Sequence, residues 1–225
     1  MVNILGNIHS IHDDWCYGAF RPYIRPTDKV ALVLLSYRES KLSDASAWDS
    51  LYGAPYGIYY QGFAASFAAY GIPPEQLIPI NYFTDTPQSA REKIEAADIL
   101  YLPGGLPDKM LERLETLELV DVIRQHQGLV IGYSAGAMLQ LDEYHITPDK
   151  DYPEYCYKKG LGLLSGFDVE VHYEALPVQQ DAIRRYLSEQ KKPIYAMGNQ
   201  GALIVENGSI SPVGDVSLIL PEESI

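Results

Sequence analysis

Short apolar runs alternate with amphipathic segments along the first 140 residues of the chain. The run at 29–36 is apolar at nearly every position, which is typical of a strand buried on both faces of a parallel sheet. Similar patterns predict strands at 76–81, 98–103, 129–132 and 165–172, and helical spacing predicts helices at 59–70, 88–97, 107–125, 135–141 and 178–190. Strands that alternate with helices predict an α/β fold, with a mostly parallel sheet covered by helices on both faces.

Helix-end signals and turn formers support these boundaries. Thr86 and Pro87 suit the N-cap and first turn of one helix. Residues 1–28, 37–57 and the polar stretch 142–160 carry no clear period, so we expect an irregular N-terminal segment and two loops. From Ile194 onward, short extended segments separated by turn formers predict a β-rich edge. No shift in composition marks a boundary, so residues 1–225 are expected to form a single domain.

Composition narrows the functional classes. The 30 acidic and 17 basic residues give a net charge of −13, which disfavours nucleic acid and anionic membranes as partners. We find neither an apolar run long enough to span a membrane nor a secretory signal pattern, and we expect a cytoplasmic location. The two cysteines, Cys16 and Cys156, are far apart, which argues against a disulfide framework or a zinc site.

The segment from Gly132 to Gly136 fits the G-x-S-x-G pattern of a nucleophile elbow. An apolar strand precedes it and a helix-forming run follows, as such an elbow requires. Ser134 would then lie in a tight turn at a helix start, where free N–H groups favour an anion. The backbone N–H of Ala135 would face a developing oxyanion, and so would that of Gly105 in the glycine pair after an earlier strand.

A nucleophilic serine needs a base, and two of the histidines follow the elbow. His172 ends a predicted strand and could reach the elbow of a neighbouring strand, whereas His145 is expected to be solvated in a polar loop. The base in turn needs an orienting carboxylate. The sequence leaves this choice open among Asp149, Asp151, Glu154 and Glu174.

Four segments resemble, in order, the motifs of the dipeptidase E and cyanophycinase family of serine peptidases: Leu102-Pro-Gly-Gly105, Ile131-Gly-Tyr-Ser-Ala-Gly-Ala137, Ile146-Thr-Pro-Asp149 and Val169-Glu-Val-His172. The segment Asn199-Gln-Gly-Ala-Leu-Ile-Val205, with Asn207-Gly208, resembles the C-terminal edge of that family. The resemblance implies a fold similar to class I glutamine amidotransferases, a flavodoxin-like three-layer sandwich. It implies that Ser134 is the nucleophile, His172 the base and Asp149 the acid, with Gly105 and Ala135 in the oxyanion hole. The implied substrate is a short peptide or another amide, and no metal or organic cofactor is required.

Two departures from that family's pattern affect the interpretation. Glu174 follows His172 with the His-x-Glu spacing of the amidotransferases, so it is an alternative acid. In dipeptidase E an arginine-rich stretch associated with acidic substrates follows the histidine. In this chain the first arginines after His172 are Arg184 and Arg185, which favours a neutral or basic substrate.

The sequence alone leaves three further interpretations undecided. A non-catalytic domain of the same fold that binds a small ligand or a partner is the alternative to an enzyme, and it predicts that Ser134 and His172 lie well apart. His9, His12, Asp13 and Asp14 could bind a metal, although a solvated polar segment is the simpler interpretation. The cluster Tyr52–Tyr60 predicts either a pocket wall or the surface of a homodimer.

Overall fold

The computed structural model describes residues 1–7 and 10–221, which form a central eight-stranded sheet and a separate two-stranded hairpin. Seven strands follow the order β10-β9-β1-β5-β4-β2-β3, and β8 pairs with β9. The sheet strands are β1 Val2–Gly6, β2 Val30–Leu32, β3 Leu77–Pro79, β4 Ile99–Leu102, β5 Leu129–Tyr133, β8 Asp168–Glu170, β9 Ile194–Glu206 and β10 Ser209–Ile219. The hairpin consists of β6 Glu143–Ile146 and β7 Cys156–Lys159.

The sheet is mostly parallel, as the alternation of strands and helices predicted. Neighbouring strands from β1 through β5, β4 and β2 to β3 all pair in parallel, and so do β8 and β9. Only β9 breaks the pattern, because it pairs antiparallel with both β1 and β10. The parallel strands therefore share one carboxyl edge, which is where sites form in sheets of this kind.

Helices cover both faces of the sheet. Along β2, Ala31 packs into one apolar core while Val30 and Leu32 pack into the other, because successive side chains of a strand point to opposite faces. The helices are α1 Asp14–Phe20, α2 Ala45–Tyr52, α3 Ile58–Ala68, α4 Pro87–Glu95, α5 Pro107–Thr116, α6 Val120–Gln125, α7 Ala135–Met138 and α8 Pro177–Gln190. Side chains from α1, α2 and α3 fill one core, and those from α4 to α7 fill the other.

Several helix predictions are confirmed in detail. The Thr86 side chain accepts a hydrogen bond from the Ser89 N–H, and Pro87 occupies the first turn of α4. The helix expected at 107–125 is instead two helices, α5 and α6, separated where Glu118 adopts a positive φ of 55°. In the described part of the chain, no helix combines the length and the apolar character that a membrane crossing needs.

Three segments expected to be irregular are structured. Residues 1–28 contain β1, which lies between β5 and β9, and also α1. Residues 37–57 contain α2, whose N-cap Asp44 accepts from the Ala47 N–H. Residues 142–160 form the β6–β7 hairpin, whose first strand is buried at Tyr144–Ile146. Each was missed because the segment is short and its order depends on partners distant in sequence.

Two glycines let the turn after β5 pack against the sheet. A Cβ on Gly136 would lie 2.0 Å from the Leu102 carbonyl oxygen, and a Cβ on Gly132 would lie 2.2 Å from the Gly136 carbonyl oxygen. Both contacts are with backbone atoms, which cannot swing away. The glycines of the G-x-S-x-G segment are therefore required by packing as well as by turn geometry.

We expect Gly136→Ala to destabilise the protein by about 2 kcal/mol or more, because an overpacked backbone must shift. Urea unfolding monitored by circular dichroism measures this. Gly18→Ala in α1 is the matched control, since a Cβ there meets nothing within 4 Å and alanine favours a helix. Equal stability of the two variants would contradict this account of the turn.

Candidate active site

Ser134 lies in a strained turn between β5 and α7. Its φ of 48° and ψ of −107° are unusual for a residue with a side chain, as expected of a nucleophile elbow. The Ser134 N–H donates to the Gly6 carbonyl at the end of β1, at 2.9 Å. The Ser134 carbonyl accepts from the N–H groups of Ala137 and Met138. These bonds fix the turn and leave the hydroxyl partly exposed at the carboxyl edge of the sheet.

His172 follows β8 and lies beside Ser134, as the sequence predicted. Its Nε2 is 2.8 Å from the Ser134 Oγ, a hydrogen-bond distance that suits transfer of the hydroxyl proton. The non-catalytic alternative predicted a wide separation of these two groups, and the observed distance argues against it. The backbone of His172 is also strained, with a φ of 52°.

Two buried amide side chains hold the backbone of His172, and the sequence reasoning missed both. The Asn7 Oδ1 accepts from the His172 N–H at 3.0 Å, while the Asn7 Nδ2 donates to the carbonyls of Met197 and Gly198. The Gln179 Nε2 donates to the His172 carbonyl at 2.9 Å. Asn7 is a single polar residue after an apolar run, which is a weak signal in a sequence. Its burial becomes evident only once the order of the strands in the sheet is known.

The second ring nitrogen of His172 faces an amide and not a carboxylate. The Asn199 Oδ1 is 3.4 Å from the His172 Nδ1, so the oxygen can accept a weak hydrogen bond from the Nδ1–H group. Asn199 lies in β9, next to the irregularity in its pairing with β10. In the sequence, Asn199 begins a segment that resembles the C-terminal edge of the family, but that resemblance gave the residue no role.

Among the hydrogen bonds of the described residues, none joins His172 to Asp149 or Glu174, the two acids expected to orient it. The Asp149 carboxylate accepts from the N–H groups of Asp151 and Tyr152 and thereby caps a turn of the hairpin loop. Glu174 is exposed, and its own N–H donates to Gln179. Asp151 pairs with Arg38. Asp149 and Asp151 therefore bind groups other than the histidine.

The glycine pair after β4 brings Gly105 to the serine. Gly105 has a φ of 141° and packs so closely on Ser36 that a Cβ would lie 2.3 Å from the Ser36 carbonyl oxygen. Gly105 and Ala135 line the same cavity as Ser134 and His172. Because the first N–H groups of a helix have no intrahelical acceptor, that of Ala135 is suited to bind an oxyanion.

His145 corrects a second expectation. It is 1% exposed rather than solvated, and its two ring nitrogens each lie 2.8 Å from a buried carboxylate, the Asp168 Oδ2 at Nδ1 and the Glu170 Oε2 at Nε2. Thr147 also donates to the Glu170 carboxylate, at 2.7 Å. Burial alone lowers the pKa of His145, but the charges and hydrogen bonds of Asp168 and Glu170 outweigh it and raise the pKa to about 9.

Two cavities meet at Ser134. The first, here called the acidic cavity, has a volume of about 270 Å³ and is lined by Asp149, Glu170 and His145. The second, here called the tyrosine cavity, has a volume of about 610 Å³ and is lined by residues that include Tyr37, Tyr52, Tyr59, Phe63, Arg38 and Lys41. Both cavities are bounded by Gly105, Ser134 and His172. The Tyr52–Tyr60 cluster thus contributes to a pocket wall, one of the two roles that the sequence left open.

The proposed metal group is incomplete in the described residues. His9 lies outside them, and His12 lines the tyrosine cavity. Within residues 1–7 and 10–221, no group of three or more histidine, cysteine or acidic side chains is arranged to hold a metal ion.

Fold and site together define a serine-type hydrolase with an α/β fold, in which a nucleophile elbow lies at the carboxyl edge of a mostly parallel sheet. The family model described as "Peptidase family S51" matches residues 54–213, a span that contains Ser134, His172 and Asn199. The chain therefore belongs to peptidase family S51 and is a serine peptidase of the dipeptidase E kind.

Solved structures agree on the fold. A protein assigned as a peptidase E from Listeria monocytogenes EGD-e superposes with a TM-score of 0.67 at 17% identity, over 94% of this chain and 96% of the other. A peptidase from an acI-B1 Actinobacterium gives a TM-score of 0.63 at 14% identity, over 100% of this chain and 95% of the other. No curated protein sequence matches the chain.

We expect the buried His145 cluster to make stability fall as the solution becomes alkaline. A histidine whose pKa is raised on folding contributes fully below its ordinary pKa of 6.5, and that contribution is lost as the pH rises through about 9. His145→Gln should lower the unfolding free energy at pH 6 by about 3 kcal/mol or more and flatten this pH dependence.

Urea unfolding at pH 6, 7.5 and 9 measures both effects. His126→Gln is the control, because burial lowers the pKa of His126 and its contribution therefore changes with pH in the opposite direction. If wild type and His145→Gln lose stability in parallel from pH 6 to 9, the claim that a charged His145 stabilises the fold is refuted.

Proposed function

We propose that this protein hydrolyses short peptides, with Ser134 as the nucleophile, His172 as the general base and acid, and Asn199 as the residue that orients the imidazole. The observation that carries the proposal is the 2.8 Å contact between the Ser134 Oγ and the His172 Nε2 at a strained elbow. A hydroxyl in such a contact can pass its proton to the imidazole as it attacks a carbonyl carbon.

In the first half of the reaction, the Ser134 Oγ bonds to the carbonyl carbon while its proton moves to the His172 Nε2. The tetrahedral oxyanion accepts hydrogen bonds from the N–H groups of Gly105 and Ala135. Collapse of this intermediate breaks the C–N bond, and His172 returns the proton to the departing amine. The acyl group is left as an ester on Ser134.

In the second half, water replaces the amine. His172 takes a proton from water as the oxygen attacks the ester carbon, and the same two N–H groups stabilise the second oxyanion. The ester bond then breaks, the proton returns to the Ser134 Oγ, and the carboxylic acid departs. The partly exposed Ser134 and the exposed His172 leave room for water to enter once the amine has gone.

The dimensions of the site favour a short substrate. The cavities on the two sides of Ser134 have volumes of about 270 and 610 Å³, which suit a few residues of a peptide. Arg38 borders the tyrosine cavity and pairs with Asp151 of the hairpin loop, whose neighbour Asp149 borders the acidic cavity. This ion pair joins a residue of the tyrosine-cavity wall to the loop that carries Asp149.

Ser134→Ala and His172→Gln should each reduce kcat for peptide hydrolysis by several orders of magnitude, because each removes a group that acts only with the other. A library of dipeptides and tripeptides gives the rates, and a fluorophosphonate probe reports on the serine. Ser209→Ala, on the exposed strand β10, is the control. Labelling of Ser134→Ala equal to that of wild type would rule out Ser134 as the nucleophile.

Asn199 should affect catalysis through the orientation of the imidazole and leave the affinity for substrate unchanged. Asn199→Ala is expected to lower kcat by about tenfold with little change in KM, because the ring loses its acceptor. Asn199→Asp places a negative charge beside Nδ1, which favours the imidazolium, and should move the acidic limb of the kcat/KM pH profile to higher pH. If Asn199→Asp leaves the pH profile of wild type unchanged, Asn199 does not orient His172.

A further inference from the structure

The tyrosine cavity is built mainly from aromatic and aliphatic side chains, although it opens directly onto Ser134. Tyr37 and Phe63 are 8% and 6% exposed, so they form a fixed wall. Tyr52 and Tyr59 extend this wall, with ring centroids 5.5 Å apart. Aromatic rings at this spacing offer edges and faces to which a further ring or a branched apolar chain can pack.

The aromatic wall is held rigidly from behind. The Arg113 guanidinium lies 3.7 Å from the centroid of the Tyr37 ring and donates to the carbonyls of Leu35 and Tyr37. Trp48 packs on Tyr52 with ring centroids 5.7 Å apart. A pocket whose wall is already ordered loses little conformational entropy when a ligand binds.

The two cavities differ in charge. Among the described residues that line the tyrosine cavity, Arg38 and Lys41 are the permanent cations and none is acidic. Arg38 is paired with Asp151, whereas Lys41 is exposed and able to meet a ligand. Among those that line the acidic cavity, Asp149 and Glu170 are carboxylates and none is lysine or arginine. The protonated His145 also lines this cavity and compensates Glu170, so Asp149 supplies its negative charge. Positive charge therefore lies on the tyrosine-cavity side of Ser134, and negative charge lies on the acidic-cavity side.

We propose that the tyrosine cavity binds the C-terminal residue of the peptide, with a preference for an aromatic or large aliphatic side chain and with the terminal carboxylate facing Lys41. This inference rests on the proposed function and specifies its substrate. The amino end of the peptide then lies toward the acidic cavity, where the Asp149 carboxylate attracts an ammonium group. The departing product is an apolar amino acid or a short peptide that ends in one.

The first experiment compares Ala-Phe, Ala-Leu, Ala-Gly and Phe-Ala as substrates of the wild-type protein. We expect kcat/KM for Ala-Phe and Ala-Leu to exceed that for Ala-Gly by at least about tenfold, as apolar pockets discriminate on this scale. Phe-Ala, which has the aromatic side chain on the other side of the scissile bond, should be as poor as Ala-Gly. A preference for Phe-Ala, or none among the four, would overturn the inference.

Gly62 provides a way to fill the cavity without disturbing the catalytic residues. It lies on α3, lines the cavity, and a Cβ added there meets nothing within 4 Å. Gly62→Leu should therefore fold normally and lower kcat/KM for Ala-Phe by about tenfold, while Ala-Gly is affected much less. Gly18→Leu is the matched control, because Gly18 is also a helical glycine with open space but lies in α1, away from both cavities.

The proposed contact of Lys41 with the terminal carboxylate is tested with a substrate that lacks this carboxylate. Ala-Phe should be cleaved several-fold faster than Ala-Phe-amide by the wild-type protein, and Lys41→Gln should abolish this difference through KM. Lys159→Gln, an exposed lysine of β7, should preserve it. An unchanged acid-to-amide ratio in Lys41→Gln would show that this lysine does not face the carboxylate.

Calorimetry separates failure of this inference from failure of the proposed function. Ser134→Ala should bind Ala-Phe more tightly than Ala-Gly by about tenfold, and the double variant Ser134→Ala with Gly62→Leu should lose that difference. Serine-dependent hydrolysis without the preference refutes the subsite alone. Selective binding without serine-dependent hydrolysis refutes the catalytic assignment and retains the subsite.

Discussion

Two hydrogen bonds at the carboxyl end of β1 hold the catalytic pair together. The Gly6 carbonyl accepts from the Ser134 N–H, and the Asn7 side chain accepts from the His172 N–H. Both donors, Ser134 and His172, have a positive φ, a conformation that costs about 1–3 kcal/mol and persists only where neighbouring groups impose it. Because β1 lies between β5 and β9, its end reaches both strained turns.

This dependence explains which parts of the site could be predicted from the sequence. The serine lies in a local motif, and the histidine follows a short apolar strand, so both were identified from nearby residues. The contribution of β1 could not be identified in this way. This five-residue strand gains its order from pairing with Leu129–Tyr133 and with residues near position 204. Asn7 is fully buried only because those strands surround it. Long-range pairing, and not local pattern, decides its role.

The same reasoning accounts for His145 and Asn199. His145 follows acidic residues in a stretch that reads as polar, yet its carboxylate partners lie 23 and 25 residues further along the chain. Two buried carboxylates need a cation, and the imidazole supplies it. Asn199 lies within β9 and reaches His172 from 27 residues away. The strand and helix pattern was predictable because it rests on periodicity, whereas these contacts rest on which elements become neighbours.

In the proposed mechanism an amide takes the orienting position, and this affects the base. A carboxylate stabilises the imidazolium by charge and by hydrogen bonding, whereas the Asn199 oxygen offers only its dipole, and at 3.4 Å only a weak bond. The orientation of the ring must then depend more on its backbone, which Asn7 and Gln179 hold from both sides. It follows that the anchoring of the His172 backbone supplies part of the alignment that a triad acid supplies elsewhere. A neutral partner also leaves Asp149 as the carboxylate that gives the acidic cavity its negative charge, because His145 compensates Glu170.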